Sequence, residues 1–131
     1  MPSSAESLEA RTERFALNVC RLIQHFPQSE PALTIKRQLA KCSTSVAANY
    51  RASRRSRSHA EFTSRIAVVA EEADESCYWL RLTLQLTLGD TASVETYLRE
   101  ARELTAIFSA MVGTARRKEN AKRARAGSER D

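Results

Sequence analysis

The sequence predicts an all-α fold, a bundle of four antiparallel helices in one domain. Turn-forming residues are scarce, with three Gly and three Pro in 131 residues, and the abundant Ala, Leu, Arg and Glu favour helices. Large apolar residues recur at steps of three and four in four separate stretches, which is the spacing of helices that pack on one side. We expect residues 1–115 to form the bundle, with helices at 5–26, 30–54, 59–88 and 93–117.

Helix one is predicted from an apolar stripe and from the proline that follows it. The stripe consists of Leu8, Phe15, Val19, Leu22 and Phe26. Pro27 comes next, and a proline disfavours the helical conformation for the residue before it. The start has three candidate caps, because Ser4, Ser7 and Thr12 are all residue types that satisfy the first free amides of a helix.

Helix two is expected to begin at Ser29, Glu30 and Pro31, because these residues supply a cap, an acid for the helix dipole and a first-turn proline. Its apolar stripe runs from Leu33 to Tyr50. From Ser43 to Ala48 nearly all side chains are small, which predicts close approach to a neighbouring helix. Ser and Thr are indifferent helix formers, so a loop over this stretch is the alternative.

Helix three is predicted to begin at Ser58, because Ser58 and Glu61 have the spacing of a capping box. Gly89 is the expected stop at its other end. The residues that alternate in steps of three, four and seven form the seam of an antiparallel bundle. They are Phe62, Ile66, Val69, Ala73, Leu80 and Leu84.

The end of helix three is apolar on two faces. In the run RLTLQLTL, Leu82 and Leu86 lie about 200° around the helix from Leu80 and Leu84. Strict alternation is also typical of a strand, but the sequence offers no second strand-like segment to pair with it. A helix that is apolar on both sides is buried on both sides. We therefore predict an oligomer interface formed by Trp79, Leu82 and Leu86.

Helix four is predicted to start near Asp90, Thr91 or Ser93 and to carry an apolar stripe from Val94 to Val112. The pattern then stops, and residues 116–131 contain nothing large and apolar. Such a segment has no surface to bury. We therefore expect this basic tail to be disordered, or a frayed helix, until it meets a partner.

Positive charge is concentrated in one corner of the bundle and in the tail. Residues 51–65 contain five Arg and one acid, and residues 116–131 contain seven Lys or Arg and three acids. A guanidinium group binds a phosphate through two parallel hydrogen bonds, and phosphate contacts dominate the affinity of proteins for nucleic acid. A solvated basic surface without a ligand is the alternative. The candidate nucleic-acid-binding residues are Arg51, Arg54, Arg55, Arg57 and Arg65 at the corner, Lys36, Arg37 and Lys41 on helix two, and Arg116, Arg117, Lys118, Lys122, Arg123 and Arg125 in the tail.

The residues suggest no catalytic or metal-binding constellation. The acidic run at 71–75 lacks the Glu-x-x-His pairs that a di-iron bundle requires, and the cysteines fall in the middle of predicted helices, away from an activating group. We expect no enzymatic activity, no cofactor and no metal. Glu72 and Glu75 are instead expected to pair with Lys41 or Arg37, within a protomer or across subunits.

The number of cysteines and the N-terminal residues indicate the cellular compartment of the protein. Cys20, Cys42 and Cys77 are odd in number and far apart, so we expect reduced, buried thiols. The polar N-terminus does not have the pattern of a secretory signal, and no apolar run is long enough to cross a bilayer. We expect a soluble, cytoplasmic protein.

Two adjacent runs carry a family resemblance. STSVAANYRASRRSRSHAEF at 43–62 and EEADESCYWL at 71–80 resemble the 23S rRNA intervening-sequence proteins, a family related to the accessory variability determinants of diversity-generating retroelements. The resemblance extends from Phe15 to Arg117. Ala47 replaces a usual glycine, and Ala52 stands where a glutamate is common. The positions that match best are Ser45, Val46, Ala48, Asn49, Tyr50, Arg51, Phe62, Glu72, Glu75, Trp79 and Leu80.

The resemblance implies an up-down four-helix bundle that assembles as a ring-like homopentamer with a basic surface. It also implies binding of nucleic acid, RNA above all, without enzymatic activity, and in one branch a partnership with a reverse transcriptase. The alternative function is a protein-protein adaptor or scaffold ring, for example one that docks a reverse transcriptase and has no direct role on nucleic acid.

Overall fold

Four helices account for most of residues 6–130, the part of the chain that the structure, a computed structural model, describes. They are α1 (Leu8–Ile23), α2 (Ala32–Ser53), α3 (His59–Gln85) and α4 (Thr91–Arg130). α3 packs against both α2 and α4, and α1 packs against α2 and more thinly against α4. Because the connections are short and sequence neighbours are neighbours in space, successive helices run in opposite directions. The predicted all-α four-helix bundle is confirmed for the described residues.

The predicted stripes form one apolar core. Phe15, Leu39, Leu80 and Phe108, one from each helix, are among the largest fully buried side chains. Near the last turn of α2 the Tyr50 ring lies 5.3 Å from the Phe108 ring of α4, centroid to centroid. Burial of side chains of this size contributes about 1.5 to 3 kcal/mol each to folding, so this shared core stabilises all four helices together.

The small-residue stretch of α2 is helical and packs closely, so the alternative of a loop is wrong. Ser43 and Val46 are fully buried, and the Ser76 hydroxyl of α3 lies 3.2 Å from the Cys42 sulfur. Burial raises the pKa of the Cys42 thiol to about 11, which leaves it protonated and unreactive at neutral pH. Asn49 donates a hydrogen bond to the Ser45 carbonyl within the same helix (2.9 Å).

The helix ends follow the capping signals with small shifts. The Ser7 hydroxyl accepts a hydrogen bond from the Ala10 amide (3.1 Å), and α1 ends at Ile23, three residues before the predicted end. Phe26 is still 3% exposed, because it packs into the core from the following turn. α2 begins after Pro31, which has no side-chain cap. The predicted start of helix one at residue 5 lies outside the described residues.

α3 begins with the predicted cap and ends earlier than expected. The Ser58 hydroxyl accepts from the Glu61 amide (3.1 Å), and the Glu61 carboxylate accepts from the Arg57 amide (3.2 Å), one residue before the cap. The helix ends at Gln85 rather than residue 88. Gly89 has φ +70°, and a side chain on it would meet the Leu22 Cδ1 atom at 2.9 Å, so conformation and packing both require glycine there.

The tail is helical, the second of its two predicted states, because α4 continues to Arg130 and passes the predicted helix end at residue 117. Ala, Arg, Lys and Glu are good helix formers, and extending an existing helix adds a backbone hydrogen bond per residue without a new nucleation cost. Glu119 and Arg123, four residues apart, also form an ion pair (3.4 Å). We call residues 116–130 the α4 extension. It adds about 22 Å of helix beyond the bundle. Asp131 lies outside the described residues.

An ion-pair cluster holds α1 to α4 where their packing is thin. Arg11 Nε donates to one Glu100 oxygen (2.9 Å), and its Nη2 contacts both the other Glu100 oxygen (2.5 Å) and Glu103 (2.7 Å). The Glu100 side chain is only 14% exposed. The hydrogen bonds from Arg11 hold the pKa of the Glu100 carboxyl below its ordinary value.

This cluster predicts an acid-sensitive contribution to stability. A lowered folded-state pKa stabilises the protein above the unfolded pKa of about 4.3, and this contribution is lost as the pH falls through the folded-state value. We expect Glu100→Gln to cost about 1 kcal/mol at pH 7 and almost nothing below the folded-state pKa. Urea unfolding of both proteins across this pH range measures the difference. The exposed Glu95→Gln is the control, and an equal deficit at both ends of the range would contradict the assignment.

Candidate nucleic-acid interface

The fold brings the two basic segments to the same end of the bundle. The imidazole Nε2 of His59, at the start of α3, lies 2.8 Å from the Ala115 carbonyl, where α4 leaves the bundle. The arginine-rich turn between α2 and α3 is therefore next to the base of the α4 extension. We call this end of the molecule the basic end. It combines segments that lie about sixty residues apart in the sequence.

A cleft at the turn between α2 and α3 is lined by four of the five predicted corner arginines. Its volume is about 380 Å³. Ala48 and Ala52 are among its lining residues, so no large or acidic side chain from these two positions occupies it. Arg51, Arg55 and Arg57 are exposed, which leaves their guanidinium groups accessible to phosphate. We call it the arginine cleft; the full lining is Ala48, Arg51, Ala52, Arg55, Arg57, Glu61 and Arg65.

Two of the predicted corner arginines make structural contacts. Arg65 Nη1 donates to the Ala52 carbonyl (2.6 Å), and its Nη2 pairs with Glu61 (2.6 Å). Arg65 thus ties the last turn of α2 to the first turn of α3 and shapes the arginine cleft. Arg54 pairs with Glu9 of α1 (2.5 Å). Arg51, Arg55 and Arg57 are consequently the best candidates for direct phosphate contact.

The basic residues of α2 do not join this site. Lys41 precedes Arg51 by ten residues, which places it about 15 Å away along the helix, and Lys36 and Arg37 are farther still. Arg37 and Lys41 are exposed, and Lys36 is half-buried. They lie in the first half of α2, away from the basic end.

The predicted pairing of Glu72 with Lys41 is not a close contact. Glu72 Oε2 is buried and has no hydrogen-bond partner among the described residues. Burial and the neighbouring Glu75 charge raise the pKa of Glu72, while Lys41 opposes this shift through its charge. Glu75 accepts a hydrogen bond from the Trp79 indole (3.3 Å), so its nearest partner lies on its own helix.

The α4 extension presents its cations as an exposed helix surface. Lys118, Lys122 and Arg125 are spaced by four and three residues and so share one face. Arg123 is paired with Glu119. The six basic side chains predicted to bind nucleic acid in this segment are all exposed; they are Arg116, Arg117, Lys118, Lys122, Arg123 and Arg125.

A second cleft at the basic end was missed by the sequence reasoning. Its volume is about 320 Å³. Phe62 and Met111 follow helical spacing and were assigned to the core, but periodicity does not reveal that the core stripe reaches the open end of a bundle. Both side chains are half-buried. We call it the end cleft; it is lined by His59, Phe62, Ala110, Met111, Thr114, Ala115 and Lys118.

The predicted oligomer residues lie together on the outer face of α3. Trp79 and Leu82 lie about 60° apart around the axis of α3, and Leu86 follows directly after its last residue, Gln85. Leu86 is 48% exposed, while Trp79 and Leu82 are half-buried against the edge of the core. Tyr78, 47% exposed, extends this surface, and its ring contacts the Trp79 ring edge-on at a centroid distance of 4.9 Å.

Metal-ion clusters and membrane-spanning helices are both absent from the described residues. No cluster of three or more His, Cys, Asp or Glu side chains is placed there to hold a metal ion. No helix among them is both long enough and apolar enough to cross a bilayer.

Comparison with known proteins yields one family and one fold. The family model described as 23S rRNA-intervening sequence protein matches residues 8–110. A crystal structure from Bacteroides thetaiotaomicron, of a protein with unknown function from the S23 ribosomal protein family, matches with a TM-score of 0.73 at 20% identity. The match covers 81% of this chain and 98% of that one, so the two share a fold. No curated protein matches the chain.

Proposed function

The chain belongs to the 23S rRNA-intervening sequence protein family, and we propose that it is a non-enzymatic protein that binds nucleic acid, RNA above all, through its basic end. The observation that carries this proposal is the convergence of the arginine-rich turn and the α4 extension. Each segment alone is an ordinary basic surface. Together they supply enough neighbouring cations for several phosphates of one strand.

The arrangement of the arginines supports phosphate as the ligand. Arg51, Arg55 and Arg57 surround one cleft, and a guanidinium group binds a phosphate through two parallel hydrogen bonds. The network of Arg65, Glu61 and the Ala52 carbonyl holds the two helix ends that carry these side chains. A site that is held in place before binding loses less entropy when the ligand arrives.

A further cleft is lined by charged side chains that pair with one another, which supports a structural role for these charges rather than catalysis. It has a volume of about 530 Å³ and lies between α1 and α4. Arg11, Arg14, Glu100 and Glu103 line it and are paired with one another or with neighbouring acids. Charged groups that neutralise each other in this way stabilise the helix contact.

The salt dependence of RNA binding tests this proposal. If about six phosphates are contacted, log affinity falls with log salt concentration with a slope of about −4 for a single strand. Fluorescence anisotropy with a labelled oligonucleotide at increasing salt measures this slope. Undetectable or salt-independent binding would contradict the proposal and would favour the adaptor function. A high ratio of absorbance at 260 to 280 nm that nuclease treatment removes would support it directly.

We further propose that the protein functions as a homo-oligomer, a ring-like pentamer, assembled through the outer face of α3. The supporting observation is the cluster of Tyr78, Trp79, Leu82 and Leu86, because leaving such side chains in water forgoes about 1.5 to 3 kcal/mol for each large side chain. A ring repeats the basic end once per subunit. Repetition raises the effective concentration of phosphate-binding groups for one long strand.

A further inference from the structure

The end cleft lies between the two basic elements. His59 on its rim comes two residues after Arg57 of the arginine cleft, and Lys118 on the opposite side belongs to the α4 extension. A strand whose phosphates contact both basic elements therefore passes over this opening. The side chains that line the end cleft differ in chemistry from the cations on either side of it.

The end cleft combines an apolar, partly aromatic wall with a polar rim. Phe62 and Met111 supply apolar surface, and the His59 ring lies 6.3 Å from the Phe62 ring at a tilt of 36°. Thr114 and Lys118 supply a hydroxyl and an ammonium group at the edge. Because His59 Nε2 is already engaged by the Ala115 carbonyl, its ring is held in place.

These features match the chemistry of an unpaired nucleobase. A base has flat faces that stack on aromatic side chains, and polar edges that accept and donate hydrogen bonds. Within a duplex these faces are covered by neighbouring base pairs. A cleft of this kind at a phosphate-binding end therefore selects strands whose bases are free to turn outward.

We infer that the end cleft binds a single unpaired nucleobase against Phe62 and His59, while Arg57 and Lys118 hold the adjacent phosphates. This inference rests on the proposed function and names its ligand as single-stranded or looped nucleic acid. Charge complementarity favours this occupant, because the cleft is apolar inside and flanked by cations. An apolar peptide would fit the walls but would leave the flanking cations without a partner.

The test compares Phe62→Leu with the native protein on two probes, a short oligouridylate and an RNA duplex of the same length. Leucine keeps most of the apolar volume and removes the stacking face. We expect affinity for the single strand to fall about fivefold or more. Affinity for the duplex and the salt slope on either probe should stay unchanged, because no charge is altered. Tyr97→Leu, which removes a half-buried ring near the other end of α4, is the matched control.

A second variant keeps the test decisive if Phe62→Leu lowers stability. Ala110→Leu with Thr114→Leu fills the end cleft with aliphatic side chains from two exposed positions and should produce the same selective loss. Single-strand affinity that is unchanged in both variants, or an equal loss on both probes, would overturn the inference. That result differs from failure of the proposed function, in which the native protein binds neither probe or shows no salt dependence.

Discussion

Replacing Arg51, Arg55 and Arg57 together with glutamate is expected to weaken RNA binding by about a thousandfold at low salt. A charged hydrogen-bonded contact contributes about 1.5 kcal/mol or more, so losing three costs at least about 4.5 kcal/mol before the added repulsion. The salt slope should become less steep by about one for each lost contact. Arg54 and Arg65 are left in place because the Arg54–Glu9 pair joins the end of α2 to α1 and the hydrogen bond from Arg65 to the Ala52 carbonyl joins α3 to α2.

The control for this variant changes the same amount of charge elsewhere. Arg21, Arg81 and Arg102 are exposed and lie away from the basic end, so their triple replacement by glutamate tests the effect of net charge alone. We expect a much smaller loss, of a kind that salt screens easily. If both triple variants lose affinity equally, binding depends on the overall charge and the arginine cleft is not the site.

Replacing both Leu82 and Leu86 with glutamate is expected to convert the proposed oligomer to a monomer. Each interface would lose two apolar contacts worth about 1.5 to 3 kcal/mol each and would have to bury carboxylates without partners. The combined loss of about 3 to 6 kcal/mol corresponds to a factor of about 10² to 10⁴ in association. Light scattering coupled to size-exclusion chromatography measures the mass of each species.

Two further variants separate assembly from folding. Leu82 is half-buried within the subunit, so Leu86→Glu alone, at a 48% exposed position, tests the interface with little effect on the core. Leu17→Glu replaces a leucine that is 46% exposed on α1 and should leave the assembly intact. An unaltered oligomer in a folded double variant would place the interface elsewhere.

The packing of α2 against α3 determines where the arginine-rich turn lies. Small side chains over Ser43–Ala48 allow α2 and α3 to pack closely, and the helix that ends this packed stretch leads directly into the arginine-rich turn. Arg65 and Glu61 then fix that turn by contacts to Ala52 and Arg57. The stability of the α2–α3 pair therefore sets how accurately the arginine cleft is held.

The local features of this protein were predictable because short-range chemistry determines them. The cap at Ser58 depends on residues within one turn, and the four apolar stripes depend on helical periodicity alone. The stop predicted at Gly89 comes earlier, because α3 ends at Gln85 and Thr87 takes the positive φ (55°) that follows the helix. The errors came from the same local reasoning. Because the tail has nothing to bury, local reasoning predicts a disordered segment or a frayed helix, but a helix that already exists propagates through Ala, Arg, Lys and Glu without an apolar face.

The sequence by itself determined that the chain forms four helices, which residues fill the core, and that two segments are strongly basic. Only the tertiary structure decided that these two segments meet. Their proximity depends on alternating helix directions and on α3 starting where α4 leaves the bundle, at His59 and Ala115. Tertiary structure also divided the corner arginines into Arg54 and Arg65, which hold helices, and three that face solvent. Which arginines pair with another side chain depends on distances between segments that are far apart in the chain. Periodicity and composition do not encode these distances.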